Sequence, residues 1–185
     1  MLIGVCLTLI STTRPGSGSE HHLSHYFEIT GLIEDKPYFL HGTDVGYSTV
    51  VTAGLRERIV ALAAPVFRTV SAETRESAYR VIYRDFWQEV KQIQDTAARY
   101  AQDKTPFYAA HWEEICGILR QCPPAAEITQ MLLDIGFDMD AFEQMYGKEK
   151  IRRGVWYGKD LKDRYSVLWL YGDLFLGEEE AREIR

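Results

Sequence analysis

Four of the chain's five histidines fall in two short segments, Ser19-Glu20-His21-His22-Leu23-Ser24-His25-Tyr26-Phe27-Glu28 and His41-Gly42-Thr43-Asp44-Val45-Gly46. On an α-helix, residues four apart share a face, so His21 and His25 can point into one pocket while His22 points elsewhere. An imidazole at His41, reached through a turn, can approach the same pocket from a second helix. Neutral imidazole is the commonest protein ligand for zinc, iron or nickel. A catalytic divalent ion usually takes three protein ligands and keeps one position open. Glu20, Glu28 and Asp44 are the nearest carboxylates in sequence, and none combines with both histidines at a diagnostic spacing. The plain alternative is an ordinary helix face that never meets a metal.

The elements that must position these side chains read as helices throughout. The apolar run Leu2 to Ile10 reads as a core helix, ended near Ser11 to Thr13 by the turn formers Arg14-Pro15-Gly16-Ser17-Gly18. Ser17 or Ser19 is expected to cap the next helix, with Glu20 in its first turn. Gly31 to Pro37 should break it. His41 then opens a helix on Val45, Val50, Val51, Leu55, Ile59 and Leu62, ended by Pro65. A long amphipathic helix is expected from Ser71-Ala72, with Tyr79, Ile82, Tyr83, Phe86, Val90, Ile93 and Ala97 at intervals of three and four. Further helices are expected over Pro106 to Leu119, Ala126 to Leu133, Met139 to Tyr146 and Lys159 to Leu176. With no period-two alternation and no internal repeat, the fold class is all-α, a multi-helix bundle.

At 185 residues, 46% hydrophobic and 26% charged, the chain has the makings of one globular domain with a sizeable core. A net charge of −6 with scattered Lys and Arg gives no footprint for nucleic acid. The apolar start is too short for a membrane span and lacks the basic lead of a signal peptide. Cys6, Cys116 and Cys122 form no ligand pattern and suit reduced thiols in a cytoplasmic protein. His111 beside Trp112 reads as an isolated core or surface residue. Lys148, Lys150, Arg152 and Arg153 read as a solvated face, Glu178 to Glu180 as a solvated end, and Trp156 and Trp169 as packing.

The run Arg14-Pro15-Gly16-Ser17-Gly18-Ser19-Glu20-His21-His22-Leu23-Ser24-His25, followed by His41-Gly42-Thr43-Asp44-Val45-Gly46, resembles the glycerol-1-phosphate dehydrogenases, a branch of the iron-containing alcohol dehydrogenase superfamily. Pro123-Pro124-Ala125-Ala126-Glu127-Ile128 is similar to that family's loop before a short helix, and Lys162-Asp163-Arg164-Tyr165-Ser166-Val167-Leu168 to its arginine-rich final helix. The stretch Arg68 to Gln102 carries no signature. In that family a nucleotide-binding α/β domain precedes a helical one, with metal and substrate between them. The resemblance therefore implies that residues 1–185 are a single helical metal-binding domain, lacking the nucleotide-binding domain and the aspartate metal ligand upstream of Met1. Gly16-Ser17-Gly18 follows a helix and makes no dinucleotide fingerprint.

By motif position, the resemblance implies His21 and His41 as metal ligands for zinc, nickel or iron. It implies His25 as the residue that contacts substrate and relays a proton, and His22 as a fallback ligand. Such a chain is expected to be the metal-binding half of an NAD(P)-dependent enzyme that interconverts dihydroxyacetone phosphate and glycerol 1-phosphate. NAD or NADP would act only in a complete two-domain enzyme, so the half is expected to be inactive alone. A separate nucleotide-binding domain, a polyol phosphate substrate and self-association are the expected partnerships. The alternative is a non-catalytic helical interaction module that keeps the histidines as packing.

Overall fold

The computed structural model describes residues 8–9, 11, 16–63, 65–67 and 70–183, with the backbone alone from 176 onward. Most of the expected helix over Leu2 to Ile10, and Arg14-Pro15 of the elbow, lie outside the described residues. Among the described residues every regular element is helical, so the protein is all-α. In chain order these are α1 (Ser19–Glu34), α2 (His41–Val60), α3 (Ala72–Tyr83), α4 (Trp87–Ala97), α5 (Thr105–Ala110), α6 (Trp112–Leu119), α7 (Ala125–Asp134), α8 (Met139–Tyr157) and α9 (Val167–Glu183). No helix among the described residues is long and apolar enough to cross a membrane.

Helix α1 buries Leu23, Tyr26, Phe27 and Thr30, a stripe at intervals of three and four that packs most extensively on α2. Its N-cap is Gly18 rather than either serine. The Glu20 carboxylate accepts from the Gly18 N–H at 2.9 Å, which serves the helix start from inside its first turn. Gly31 does not end the helix. A Cβ there would meet the Tyr38 ring at 2.6 Å, so glycine lets the following chain fold back across α1, and the turn falls on Asp35 at φ 53°.

Helix α2 ends at Val60, before Pro65, and its buried face is more polar than its valines suggest. Asp44, Tyr47, Ser48 and Thr52 are buried with Leu55 and Ile59, whereas Val45 and Val50 are only half-buried. The expected long helix after Ser71 is two helices. Ser71 caps α3 by accepting from the Thr74 N–H, as its type suggests, but Arg84 takes φ 46° and separates α3 from α4 through a 3-10 turn. No proline or glycine marks this break. Arg84 donates to the Ile33 carbonyl at 3.1 Å, a tertiary contact that local sequence does not reveal. Likewise His111 divides the expected Pro106–Leu119 helix into α5 and α6.

Helix α8 runs on past Tyr146, with Gly147 at φ 71° supplying a kink. Lys159 does not open the last helix. It lies in a 3-10 turn, Gly158–Leu161, and α9 begins only at Val167. The core is built from rings: Phe27 stacks on Tyr146 at 4.2 Å, Tyr47 on Phe142 at 5.1 Å and Trp156 on Tyr171 at 5.2 Å. Each fully buried side chain of this size contributes about 1.5–3 kcal/mol. A Cβ at Gly154 would stand 2.9 Å from the Tyr26 ring, so this glycine lets α8 close on α1.

Between α8 and α9 the chain is held from outside itself. Gln94 of α4 donates through Nε2 to the Asp160 and Lys162 carbonyls, at 2.7 and 3.2 Å. Arg99 donates to the Asp163 carbonyl at 3.2 Å, and the Trp169 indole to that of Arg164 at 3.1 Å. Beneath, Lys159 is buried and donates to the Trp156 carbonyl, the Tyr100 hydroxyl and the Asp160 carboxylate, at 2.7, 2.9 and 3.0 Å. This arrangement fixes the backbone from which Lys162 and Arg164 project.

Candidate metal centre

The first two turns of α1 and the first residue of α2 meet at one end of the helix pair. His21 Nδ1 stands 3.0 Å from His41 Nε2, and the ring centroids of His21 and of His25 are each 5.0 Å from that of His41. Ligand atoms of all three rings lie within 4.8 Å of one another, and no other such group of histidine, cysteine or acidic side chains occurs among the described residues. His21 and His25 are half-buried and His41 is exposed, so the cluster opens to the surface.

Hydrogen bonding sets the tautomer of His41. The Ser24 hydroxyl is 2.9 Å from His41 Nδ1 and donates its own proton to the His41 carbonyl at 3.3 Å. With that proton spent, the hydroxyl accepts from Nδ1–H, which leaves the Nε2 lone pair facing His21. A ligating histidine typically donates its other N–H to a fixed oxygen in this way. For His25, the Glu28 carboxylate at 3.6 Å from Nδ1 is too far for a hydrogen bond, but its charge favours a proton on that nitrogen. Zinc–nitrogen bonds of about 2.0–2.1 Å in a tetrahedron place two ligand nitrogens about 3.3 Å apart. The 3.0 Å separation of His21 and His41 is within easy adjustment of that value. The donor set and spacing fit a divalent ion.

Electrostatics favour the neutral rings that a metal needs. Burial lowers the pKa of His21 below its usual value; Glu20 opposes this, while His41, Lys162 and Arg164 add to it. Burial also lowers that of His25, with Lys162 and His41 adding to it against Glu28. Lys162 and Arg164 thus project positive potential onto the face. Lys162 Nζ reaches Ser17 Oγ at 3.3 Å, just ahead of α1.

His22 is turned out of the cluster and so cannot serve as the fallback ligand. It is buried under the turn after α8, with Nδ1 3.3 Å from Ser166 Oγ and Nε2 without a hydrogen-bond partner among the described residues. Burial, then Lys162 and Arg164, push its pKa down to about 3. His111 lies apart, 3.1 Å from Glu114 and against Phe107. The basic run is paired: Lys150 with Glu34, Arg152 and Arg153 with Glu149, and Lys148 with Glu143. Ser24 was not among the residues singled out from sequence, although its place three after His21 puts it on the same face.

The chain is similar to glycerol-1-phosphate dehydrogenase [NAD(P)+] of Bacillus licheniformis, 31% identical over 168 residues, which is 91% of this chain and 31% of that enzyme. The same-named enzymes of Halalkalibacterium halodurans and Geobacillus thermodenitrificans are 38% identical over 55 residues and 39% over 56. Each of those matches covers 30% of this chain and 14% of the enzyme. Nearly the whole of this chain is thus homologous to one part of glycerol-1-phosphate dehydrogenases. It spans about a third of the length of the Bacillus licheniformis relative. No family model and no solved structure matches it.

Proposed function

We propose that this helical unit is the metal- and substrate-binding part of a glycerol-1-phosphate dehydrogenase-like oxidoreductase. The observation that supports this reading best is the facing pair His21 Nδ1 and His41 Nε2, 3.0 Å apart, with Ser24 fixing the tautomer of His41. His21 and His41 would hold a divalent ion of zinc, nickel or iron. When bound, such an ion supplies a Lewis acid for a carbonyl or the matching alkoxide.

His25 stands at the open side of the pair and would bind the substrate and carry a proton to or from its oxygen. Burial lowers its pKa, so the imidazole rests neutral and can accept the proton that a substrate hydroxyl releases as it becomes an alkoxide, and return it in the reverse direction. Lys162 and Arg164 would attract the phosphate of a polyol phosphate to this face. A second reading makes His25 a third ligand, favoured by its placement within the same 4.8 Å compass.

Hydride transfer needs a nicotinamide held opposite this face. A nucleotide-binding domain, on the same or a separate polypeptide, would supply NAD or NADP and close the cleft against water. Without that closure the helical unit has little or no activity of its own. A reducing, cytoplasmic setting suits the free thiols of Cys116 and Cys122.

Calorimetric titration with zinc, nickel and ferrous iron tests the reading. One site is expected, weakened at least about 100-fold by His21→Ala or His41→Ala. His25→Ala should change affinity little if it serves substrate, and about as much as the others if it is a ligand. Absence of any binding would favour a non-catalytic interaction module.

A further inference from the structure

A second concentration of chemistry lies away from the histidines, where the signature-free stretch meets α9. A cavity of about 80 Å³ is lined by Arg75, Arg99, Lys104 and Lys159, with Asp103 and Asp173 as its acidic residues and Tyr100, Tyr108 and Trp169 among its walls. None of His21, His25 and His41 lines it. At roughly 10–15 Å³ per water on this measure, it has room for several waters or one tetrahedral oxyanion.

The cations are held in place before any ligand arrives. Arg75 lies flat on the Tyr100 ring, its Cζ 3.7 Å from the centroid, and donates to the Val70 carbonyl at 3.2 Å. Lys104 Nζ sits 5.2 Å from the Trp169 ring centroid. Two of the four charges are answered: Asp160 pairs with Lys159 at 3.0 Å, and Asp163 stands 3.9 Å from Arg99. Arg75 and Lys104 have no carboxylate within 4.0 Å among the described residues. Arg99 keeps a buried Nε with no acceptor among the described residues.

The acidic residues are engaged by the protein itself, and the charge of Asp173 acts on Lys104 and Lys159 from across the cavity. The Asp103 carboxylate accepts from the Thr105 N–H at 2.9 Å, and Asp173 accepts from the Tyr108 hydroxyl at 3.1 Å. Arg75 gives one of its N–H groups to Val70, and Lys104 makes a long 3.4 Å bond to the Arg99 carbonyl, so both cations keep donors that a phosphate oxygen can accept from. Partial burial beside aromatic walls strengthens such contacts relative to an exposed site.

We propose that this cavity is a second binding site, separate from the histidine cluster, for a small molecule bearing a phosphate group. The site stands independently of the metal-centre reading, because none of His21, His25, His41, Lys162 and Arg164 lines this cavity.

Titration of the full chain with inorganic phosphate, followed in ¹H–¹⁵N spectra, tests it. Saturable shifts of the Thr105 and Gly172 backbone amides are expected in the unaltered protein. Arg75→Gln and Lys104→Gln should each weaken binding at least about tenfold, while His41→Ala and Lys162→Gln leave these shifts unchanged. Shifts confined to residues 17–25, 41 and 162–164, or none up to 20-fold above about 1 mM phosphate, would overturn the assignment. Equal affinity for acetate would show that carboxylate rather than phosphate is the matching chemistry and would overturn it too.

Discussion

The Tyr146 hydroxyl lies 2.8 and 2.9 Å from the two carboxylate oxygens of Asp44, and it accepts from the Phe39 N–H at 3.0 Å. One phenol thereby ties the last turn before the α8 kink to the first turn of α2, three residues after His41. Asp44 is fully buried, and Tyr146 is its hydrogen-bonding side chain, so the cluster's second helix is positioned partly from α8.

Tyr146→Phe should leave that carboxyl without its donor and the Phe39 N–H without its acceptor. A loss of about 1–3 kcal/mol is expected, read as a lower urea midpoint at unchanged slope. An unaltered midpoint would remove the phenol from any part in holding α2.

Acid titration should expose two opposed contributions. His22 protonates near 6.5 when unfolded but only at about 3 when folded, so the unfolded chain binds more protons between these values. Its contribution is intact above pH 6.5 and is lost as pH falls toward 3. Asp44 runs the other way. Its folded pKa is pushed up to about 7, chiefly by burial, from 3.8, so its contribution grows as pH falls from about 7 to 3.8. His22→Gln should flatten the acid loss of stability, and Asp44→Asn should steepen it, each by about 1 kcal/mol or more across the window. Parallel stability curves for wild type and both variants would contradict these assignments.

Ser24→Ala removes the oxygen that fixes the proton on His41 Nδ1. Metal affinity should fall about 10- to 100-fold, as is usual when such a partner is lost. Folding stability should change by only about 1 kcal/mol. Calorimetry and urea unfolding on the same preparation separate the two effects, and equal zinc affinity in both proteins would deny Ser24 an orienting role.

Gly154→Ala should cost about 1–3 kcal/mol, because the new methyl would sit 2.9 Å from Tyr26 and 3.4 Å from Phe27 unless α8 withdraws from α1. Gly117→Ala, where nothing stands within 4 Å of the new atom, is the control and should leave stability unchanged or slightly raised. Similar midpoints for the two variants would count against close approach at Gly154.

Periodicity and motif spacing reveal the helical class and the convergence of His21, His25 and His41, because both follow from the 3.6-residue repeat and a turn between two helices. What they miss is tertiary. Arg84 breaks the helix after Tyr83 through a bond to the Ile33 carbonyl, with no glycine or proline to announce it. The polar face of α2 is buried because Tyr146 and Asp138 receive Asp44 and Tyr47 from 91 to 102 residues away. Lys159 reads as the start of the last helix, yet it lies in a 3-10 turn and is 2% exposed because Tyr100, Trp156 and Asp160 surround its ammonium.

The side-chain amide of Gln94 has a larger reach than its size implies. It comes from the one stretch without a family signature, and it grips two consecutive bends of the connection that carries Lys162 and Arg164. The segment that looks most like an optional ornament therefore acts as the scaffold's clasp: loosen it, and the positive arm beside the imidazoles loses its footing.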